Sequence, residues 1–329
     1  MQAFEYAGPS TIEEAVKSLT GSKSGVALSG GTDLISRMKD YVTSPDRVVY
    51  LKGVKPLAGI TETKGGLSIG AGTRLVDVIA NKDIAKEFPA LQQATLEVGT
   101  PQIRNMATVG GNLLQRPRCW YYRSGLGLLG MKDGKSLVRT GDNRYHSIFM
   151  TDGDALFTSP SSLATPLIAL GATATLVGEK GERTIPVEAL YQVPKTSDDR
   201  ELTILPGEIL TKVTIPEPKG KNASYEARQK QAHDWPLVLC SVSLDMNGNE
   251  VNNGRVIIYG VAPIPWRSEA AEAAIKGKAI TMETAAAAAD AAVKAAKPLS
   301  ANGYKVGLTK TVVKRALLAA AGNRYWEEA

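Results

Sequence analysis

Two short segments with adjacent glycines decide how this sequence folds: ALSGGTD at residues 27–33 and ATVGGN at residues 107–112. We call them the first and the second Gly segment. Because glycine lets the backbone turn sharply, successive N–H groups can point at one place and a phosphate can come close. Two such segments from distant parts of the chain could therefore hold a pyrophosphate between them.

For either segment alone, an ordinary turn remains an alternative, because glycine pairs are common in turns. Neither segment matches a P-loop, since the sequence has no Gly-Lys-Ser or Gly-Lys-Thr. GAGTRL at residues 70–75 lacks the third glycine of a Rossmann fingerprint. A dinucleotide would have to be held in some other fold.

The pattern around the first Gly segment alternates between helices and strands. A hydroxyl followed by acidic residues at 10–14 predicts a helix start. Short apolar runs predict strands at 26–28, 47–51, 67–69, 173–177, 238–245 and 255–261. Helices are predicted at 34–38, 75–80, 89–98, 163–170 and 309–320, and the Ala-rich stretch 268–296 predicts packed helices.

Two stretches interrupt this order. Residues 115–159, here called the excursion, are rich in Gly and Arg and show little periodicity, which is typical of a functional or docking element. Its Trp120, Tyr121 and Tyr122 are of types enriched at interfaces, so we expect the excursion to dock a partner; inward packing of these aromatics is the alternative. The Pro-rich stretch 215–220 predicts a domain boundary.

Composition indicates a soluble globular protein. The 329 residues favour two domains, and 43% hydrophobic and 22% charged residues are ordinary values. The net charge of +6 is spread along the chain, so an anionic ligand or partner explains it as well as nucleic acid, which we do not expect. No apolar window is long enough to span a membrane, and residues 1–15 do not resemble a signal peptide.

Cys119 and Cys240 are the only cysteines, which predicts no disulfide framework and favours a reducing compartment. With only His146 and His233 besides, no zinc-type cluster is expected. Cys119 has arginines at 116, 118 and 123. Those charges could lower its pKa and make it reactive; a partly buried, inert thiol is the alternative.

Several motifs in order resemble one family. TPQIRN (100–105), LPGEIL (205–210), AHDWPLV (232–238), GVAPIPWR (260–267) and NGYK (302–305) accompany the two Gly segments. Together they are similar to the FAD-binding subunit of the xanthine dehydrogenase and carbon monoxide dehydrogenase family, over essentially the whole chain. The resemblance implies an α+β fold, with a vanillyl-alcohol-oxidase-type FAD-binding domain of two subdomains at 1–218. A C-terminal domain with a small antiparallel sheet and helices would follow at 222–329.

The resemblance also implies the FAD contacts. They are Ala27, Leu28, Ser29, Gly30, Gly31, Thr32, Asp33, Leu34, Thr108, Gly110, Gly111, Asn112, Ser162 and Leu210. Leu210 falls where the family places an apolar contact to the flavin ring. Ser162 stands where the family often has Asp, and a family lysine has no clear counterpart near Glu226.

The excursion resembles one particular branch of this family. NLLQRPRCWYYR (112–123) and GDNRYH (141–146) resemble the periplasmic aldehyde oxidoreductase branch, whose members hold a four-iron cluster here on four cysteines. This chain keeps only Cys119 of such a set, and iron–sulfur clusters need several thiolates. We therefore expect no four-iron cluster and no metal on this chain.

The implied function is electron transfer through FAD. A large subunit would carry the molybdenum cofactor and oxidise an aldehyde or a nitrogen heterocycle, and a small subunit would carry two-iron clusters. The complex would be cytoplasmic, with co-export by a partner left open, and no catalytic acid or base is assigned to this chain. The alternatives are a self-sufficient flavin oxidase, which a covalent-flavin His near the first Gly segment would support, and a flavin-free scaffold. No such His is present, and the intact Gly segments disfavour the scaffold.

Overall fold

The computed structural model describes residues 1–231 and 233–327. The first layer is a small parallel sheet with helices, made of β1 (Glu5–Ala7), α1 (Ile12–Thr20), β2 (Val26–Leu28), α2 (Leu34–Lys39) and β3 (Arg47–Tyr50). The strand order is β1-β3-β2, with both pairs parallel. The first Gly segment leaves the carboxyl end of β2 and leads into α2. A capping box between Thr11 and Glu14 starts α1, as the sequence predicts.

The second layer is a five-stranded antiparallel sheet with helices packed against it. Its first half comprises β4 (Ile60–Thr63), β5 (Gly66–Gly70), α3 (Leu75–Ala80), α4 (Lys82–Glu87), α5 (Pro89–Leu96), α6 (Pro101–Met106) and α7 (Val109–Leu113). The excursion contributes α8 (Trp120–Arg123), β6 (Met131–Lys132), β7 (Lys135–Ser136) and α9 (Leu137–Thr140). The second half comprises α10 (Ala164–Ala169), β8 (Thr173–Gly178), β9 (Gly181–Pro186) and β10 (Ile209–Pro216).

The order of this sheet is β4-β5-β10-β8-β9. Its inner face and the helices share the largest apolar core, in which Leu75, Leu113, Leu167, Leu176 and Val213 are fully buried. This core fixes α7, and with it the second Gly segment, against the sheet.

The C-terminal domain is an antiparallel sheet covered by helices. It comprises β11 (Gly220–Ala227), β12 (Val238–Asn247), β13 (Glu250–Tyr259), β14 (Trp266–Arg267), α11 (Glu269–Ile275), α12 (Met282–Val293) and α13 (Tyr304–Ala320), with the strands in chain order. Small side chains of α12, such as Ala285 and Ala288, are fully buried beside Val312 and Val313 of α13. The Ala-rich stretch is thus packed helix, as predicted.

The excursion is built into the C-terminal domain. The N–H groups of Ile148 and Phe149 both donate to the carbonyl of Val261, at 2.8 and 3.0 Å. The Phe149 ring stacks on Trp266 with centroids 4.7 Å apart. Asn302 and Lys305 of NGYK both donate to the carbonyl of His146, at 3.1 and 3.0 Å. The motifs GVAPIPWR and NGYK therefore help to hold this segment in place.

The α+β class predicted from the sequence is confirmed, but several details differ. Strands β1, β4, β10 and β11 have no counterpart in the sequence-based prediction, because their apolar residues are few or are interrupted by polar ones. The last helix begins at Tyr304, well before the predicted 309. The second Gly segment forms the first turn of α7 rather than a Gly turn, because Thr108 caps it by accepting from the Gly111 N–H.

Within the described part of the chain, no helix is both long and apolar enough to cross a bilayer.

Candidate cofactor-binding groove

Two adjoining cavities form a groove across the face where the first two layers meet the C-terminal domain. The first arm has a volume of about 150 Å³ and apolar walls that include Leu57, Ile204 and Leu210. The second arm, of about 130 Å³, is closed on one side by Trp235 and Pro236 of the C-terminal domain. Both arms are lined by Thr32, Asp33, Gly111 and Gln115, so they meet at the Gly segments.

The structure brings all the predicted contact residues to this groove. Ala27, Leu28, Ser29, Gly30, Gly31, Leu34, Thr108, Gly110 and Leu210 line the first arm only. Asn112 and Ser162 line the second arm only, and Thr32, Asp33 and Gly111 line both. The predicted residues therefore lie along two arms that join at the Gly segments.

The two Gly segments touch directly. The Thr108 hydroxyl donates to the Ser29 hydroxyl at 3.0 Å. A Cβ atom at Gly30 would overlap the carbonyl oxygen of Met106, and one at Gly110 would come within 2.8 Å of the Ala71 Cβ. Glycine is therefore needed at both positions so that distant parts of the chain can pack this closely.

The backbone N–H groups of the two segments differ in availability. Those of Gly30, Gly31 and Thr32 have no hydrogen-bond acceptor among residues 1–231 and 233–327. Gly31 has a φ of +75°, a conformation that favours glycine. In the second segment, by contrast, the Gly110 N–H donates to the Ala71 carbonyl at 2.8 Å and the Gly111 N–H donates to Thr108 Oγ1 at 3.2 Å. Among the described residues, three successive N–H groups of the first segment thus remain free for an anion, whereas the N–H groups of both glycines of the second segment are engaged.

Asp33 organises the arginines around the groove. Its Oδ1 accepts from Arg123 at 2.7 Å and lies 3.0 Å from Arg118, while its Oδ2 accepts from Arg37 at 3.1 Å. Burial opposes ionisation of Asp33, but the charges of Arg118, Arg123 and Arg37 outweigh it and hold the pKa below its ordinary value. The carboxylate is thus fully engaged, and its role is to bind the excursion to the first Gly segment.

This cluster carries excess positive charge. Three guanidinium groups face the single carboxylate of Asp33, whereas Arg116 is paired separately with Glu201. Arg37 lines the first arm and Arg118 the second. An anionic group at the junction of the arms would therefore be favoured electrostatically.

Asn112 shapes the second arm through the neighbouring turn. Its Oδ1 accepts from the Ser161 hydroxyl at 2.8 Å and from the Leu163 N–H at 3.3 Å. Both bonds are buried, so they fix the turn that presents Ser162 to the groove. Asn112 therefore acts at least partly by positioning Ser162.

Cys119 is not the reactive thiol that its neighbouring arginines suggest. Burial raises the pKa of the Cys119 thiol above its ordinary value. Its Sγ lies 3.1 Å from Nε2 of His146, and Arg116 and Arg123 turn away to their carboxylate partners. Among the residues described, no group of three or more His, Cys, Asp or Glu side chains is arranged to hold a metal ion.

Several residues of the docking surface expected on the excursion are engaged inside the fold. Tyr122 is buried in a small apolar cluster with Leu128, Leu129 and Phe157. The arginines are bound to Asp33 and Glu201, and Trp120 packs edge-on against Tyr145 with centroids 5.4 Å apart. Internal carboxylates, which the local sequence does not show, thus already bind these arginines. Trp120 and Tyr121 stay half-buried, so docking of a partner through the excursion remains a prediction.

Sequence reasoning missed Arg118 and Trp235 as groove residues. The Arg118 guanidinium stacks over the Trp235 ring at 4.3 Å from its centroid, and both line the second arm. The motif AHDWPLV was a usable signal for Trp235, since an aromatic residue in a short loop is often placed for contact. Arg118 becomes a groove residue only through the return of the excursion to Asp33.

Comparison with known proteins identifies the family. The family described as the FAD binding domain in molybdopterin dehydrogenase matches residues 2–218, and the CO dehydrogenase flavoprotein C-terminal domain matches residues 223–320. The chain belongs to this flavoprotein family. The resemblance read from the sequence motifs is confirmed.

Individual relatives of this flavoprotein cover nearly its whole length. It is 30% identical to the aldehyde oxidoreductase FAD-binding subunit PaoB of Escherichia coli over 97% of this chain and 99% of that protein. It is 28% identical to the carbon monoxide dehydrogenase medium chain of Hydrogenophaga pseudoflava over 96% of each. The solved structure of the carbon monoxide dehydrogenase from that organism, in a form that lacks the Mo-pyranopterin moiety, superposes with a TM-score of 0.77 at 26% identity and 98% coverage of each chain.

The flavoprotein is thus an FAD-binding electron-transfer subunit of an oxidoreductase of the molybdenum hydroxylase class. It belongs to a multi-subunit enzyme with a large and a small partner subunit. The geometry of the groove fits such a cofactor, because free N–H donors and excess guanidinium charge lie at the junction of two arms.

Proposed function

We propose that this groove binds FAD noncovalently, with the pyrophosphate at the Gly segments and one ring system in each arm. The observation that carries the proposal is the junction itself, where free N–H groups of Gly30, Gly31 and Thr32 lie beside the bonded hydroxyls of Ser29 and Thr108. When bound, FAD would supply redox chemistry between a partner's iron–sulfur clusters and an external acceptor.

Each part of the predicted residue set has a role in this proposal. The N–H groups of residues 30–32 and the Ser29 hydroxyl would donate to phosphate oxygens. Leu210, which is nearly fully buried in β10, would give one ring an apolar contact. Ser162 would face the other ring from the second arm. The remaining residues of both Gly segments hold the two loops together.

We further propose that the large partner carries the molybdenum cofactor and that the small partner carries two-iron clusters. An aldehyde is the substrate class we favour over a nitrogen heterocycle, because the excursion motifs and the PaoB relative, named as an aldehyde oxidoreductase subunit, agree on it. Two free cysteines support a cytoplasmic location. The domain division at 218–222 is part of the same proposal.

A charge placed in the groove tests FAD binding. Thr32 is exposed and lines both arms, so Thr32→Asp adds a negative charge at the proposed pyrophosphate position without disturbing the core. Thr61→Asp is the matched control, because Thr61 is also exposed but lies on β4, away from the groove. We expect the T61D chain to carry the same acid-releasable FAD as the wild type and the T32D chain to carry little. Equal FAD in both variants would show that the pyrophosphate lies elsewhere.

Co-purification tests the partner assignment. The chain, expressed together with its large and small partner subunits, should yield a complex that contains molybdenum and iron and oxidises an aldehyde. If the chain alone, loaded with FAD, oxidised the aldehyde at the rate of the complex, it would be a self-sufficient flavin oxidase instead.

A further inference from the structure

A third cavity lies behind the second arm of the groove. Its volume is about 180 Å³, and it shares Arg118, Asp234, Trp235 and Pro236 with the arm. Most of its remaining wall comes from the excursion and from β13, and no predicted FAD contact lines it. The cavity is therefore separate from the second arm, and the four shared residues form the partition between the two.

The size and walls of this cavity suit one aromatic ring. An apolar protein cavity of roughly 150 Å³ is enough to hold benzene. The aromatic side chains of Trp120, Tyr145, Phe157 and Tyr259, with Trp235 on the partition, supply ring faces and edges. Such walls favour a flat ring through offset and edge-on contacts.

Polar atoms in the wall lack partners. His146 is 98% buried in terms of relative surface, and its Nδ1 has no hydrogen-bond partner within the described residues, while Nε2 faces Cys119. Nε of Arg118 is also buried without a partner among those residues. Because buried polar atoms are rarely left unpaired, two such groups in one cavity wall indicate a polar ligand group.

Lys305 and Asp234, two other ionisable residues in the wall, are already hydrogen-bonded. The Lys305 ammonium is buried and donates to the carbonyl oxygens of Tyr145, His146 and Gly260, at 2.7 to 3.0 Å, and no carboxylate in the described ranges forms an ion pair with it. The opposing carboxylate of Asp234 is occupied by the N–H groups of Gln229, Lys230 and Trp235. Among the described residues, the group in this wall that stays unpartnered and can only donate is therefore Nε of Arg118, which suits an acceptor such as a carboxylate.

We propose that this cavity binds a single-ring aromatic carboxylate. The ring would lie among the aromatic side chains, and the carboxylate would accept hydrogen bonds from Arg118 and His146. The site rests on the third cavity alone, so its failure would leave the proposed FAD groove untouched.

Calorimetric titration of the full chain with benzoate tests the site, with acetate and benzyl alcohol as probes that lack the ring or the charge. We expect saturable binding of benzoate and much weaker binding of both other probes. Thr158→Phe should abolish benzoate binding, because Thr158 lines the cavity and a benzyl side chain would fill it.

Because the T158F variant could fail to fold, two arginine variants provide a second test of the site. Arg118→Gln should weaken benzoate binding about tenfold, the effect of losing one charged hydrogen bond. Arg116→Gln should leave it unchanged, because Arg116 is paired with Glu201 and does not line the cavity. Circular dichroism verifies that each variant is folded. Absence of benzoate binding to the wild type, or equal affinity in R118Q and R116Q, would overturn the proposal.

Discussion

The hydroxyl of Thr108 donates to the hydroxyl of Ser29 at 3.0 Å, and this bond joins two segments that lie 79 positions apart in the sequence. Thr108 also caps α7 by accepting from the Gly111 N–H. One fully buried side chain thus starts a helix and fixes the junction of the two arms.

The two functions of Thr108 are separable by substitution. Ser29→Ala removes the bridge between the segments and one proposed phosphate donor but leaves the helix cap in place. Because water can reach Ser29, we expect weaker FAD binding with a small change in stability. Thr108→Val also removes the helix cap, which costs about 1 to 2 kcal/mol of unfolding free energy. Urea unfolding and FAD titration of both variants measure the difference. Equal loss of stability in S29A and T108V would contradict this division.

Asp33 should contribute more to stability than an exposed acidic residue. Asp33→Asn removes the carboxylate that three arginines share in a mostly buried setting, and we expect a loss of about 2 to 3 kcal/mol, since breaking a buried ion pair is costly. Asp77→Asn is the control, because Asp77 pairs with Arg74 in solvent and such pairs contribute little. Chemical denaturation gives both values; an equally small loss in D33N would mean that the cluster does not hold the excursion.

Lys305 should make stability depend on pH. Burial lowers the pKa of its ammonium group from 10.5 to about 7. Between these values the unfolded chain binds more protons than the folded one, so the wild type gains stability as pH rises from 7 toward 10.5.

Lys305→Met removes the pH dependence of stability that Lys305 causes. It also lowers stability at every pH, because three carbonyl oxygens lose their donor. Relative to K305M, the wild type should gain about 2 kcal/mol between neutral pH and about pH 9. Urea unfolding of both proteins at the two pH values measures it. Parallel pH profiles would show that Lys305 keeps an ordinary pKa in the folded chain.

The two thiols should be unreactive in the folded protein. Burial raises the pKa of Cys119 and of Cys240, so little thiolate forms near neutral pH. Iodoacetamide should label both residues only after unfolding, as mass spectrometry of the native and the denatured chain would show. Rapid labelling of native Cys119 would restore the reactive-thiol alternative.

The chain expressed alone should contain no stoichiometric iron. Cys119 has no second thiol near it, because Cys240 is fully buried in the core of the C-terminal domain. Metal analysis of the purified subunit checks this directly. Iron in a fixed ratio to the chain would mean that other ligands replace the missing cysteines.

The sequence by itself determined the family, the α+β class and many, but not all, of the residues that line the groove. Glycine pairs beside hydroxyls, short apolar strands and a capped helix are local signals, and they follow from backbone sterics and hydrogen-bonding needs. The ordered motifs then fixed which segments belong together. Weakly patterned strands such as β10 were missed, because their place depends on neighbours on both sides of the sheet.

Only the tertiary structure decided which of these residues keep free hydrogen-bond donors and which of their charges are already paired. It showed that the glycines of the second Gly segment pack rather than donate, since Ala71 and Thr108 already take their N–H groups. It turned the arginines of the excursion inward to Asp33 and Glu201, and it enclosed a cavity around His146 and Lys305. Residues so far apart in the chain come into contact only when the protein folds. Whether a charge is free or already paired depends on those contacts.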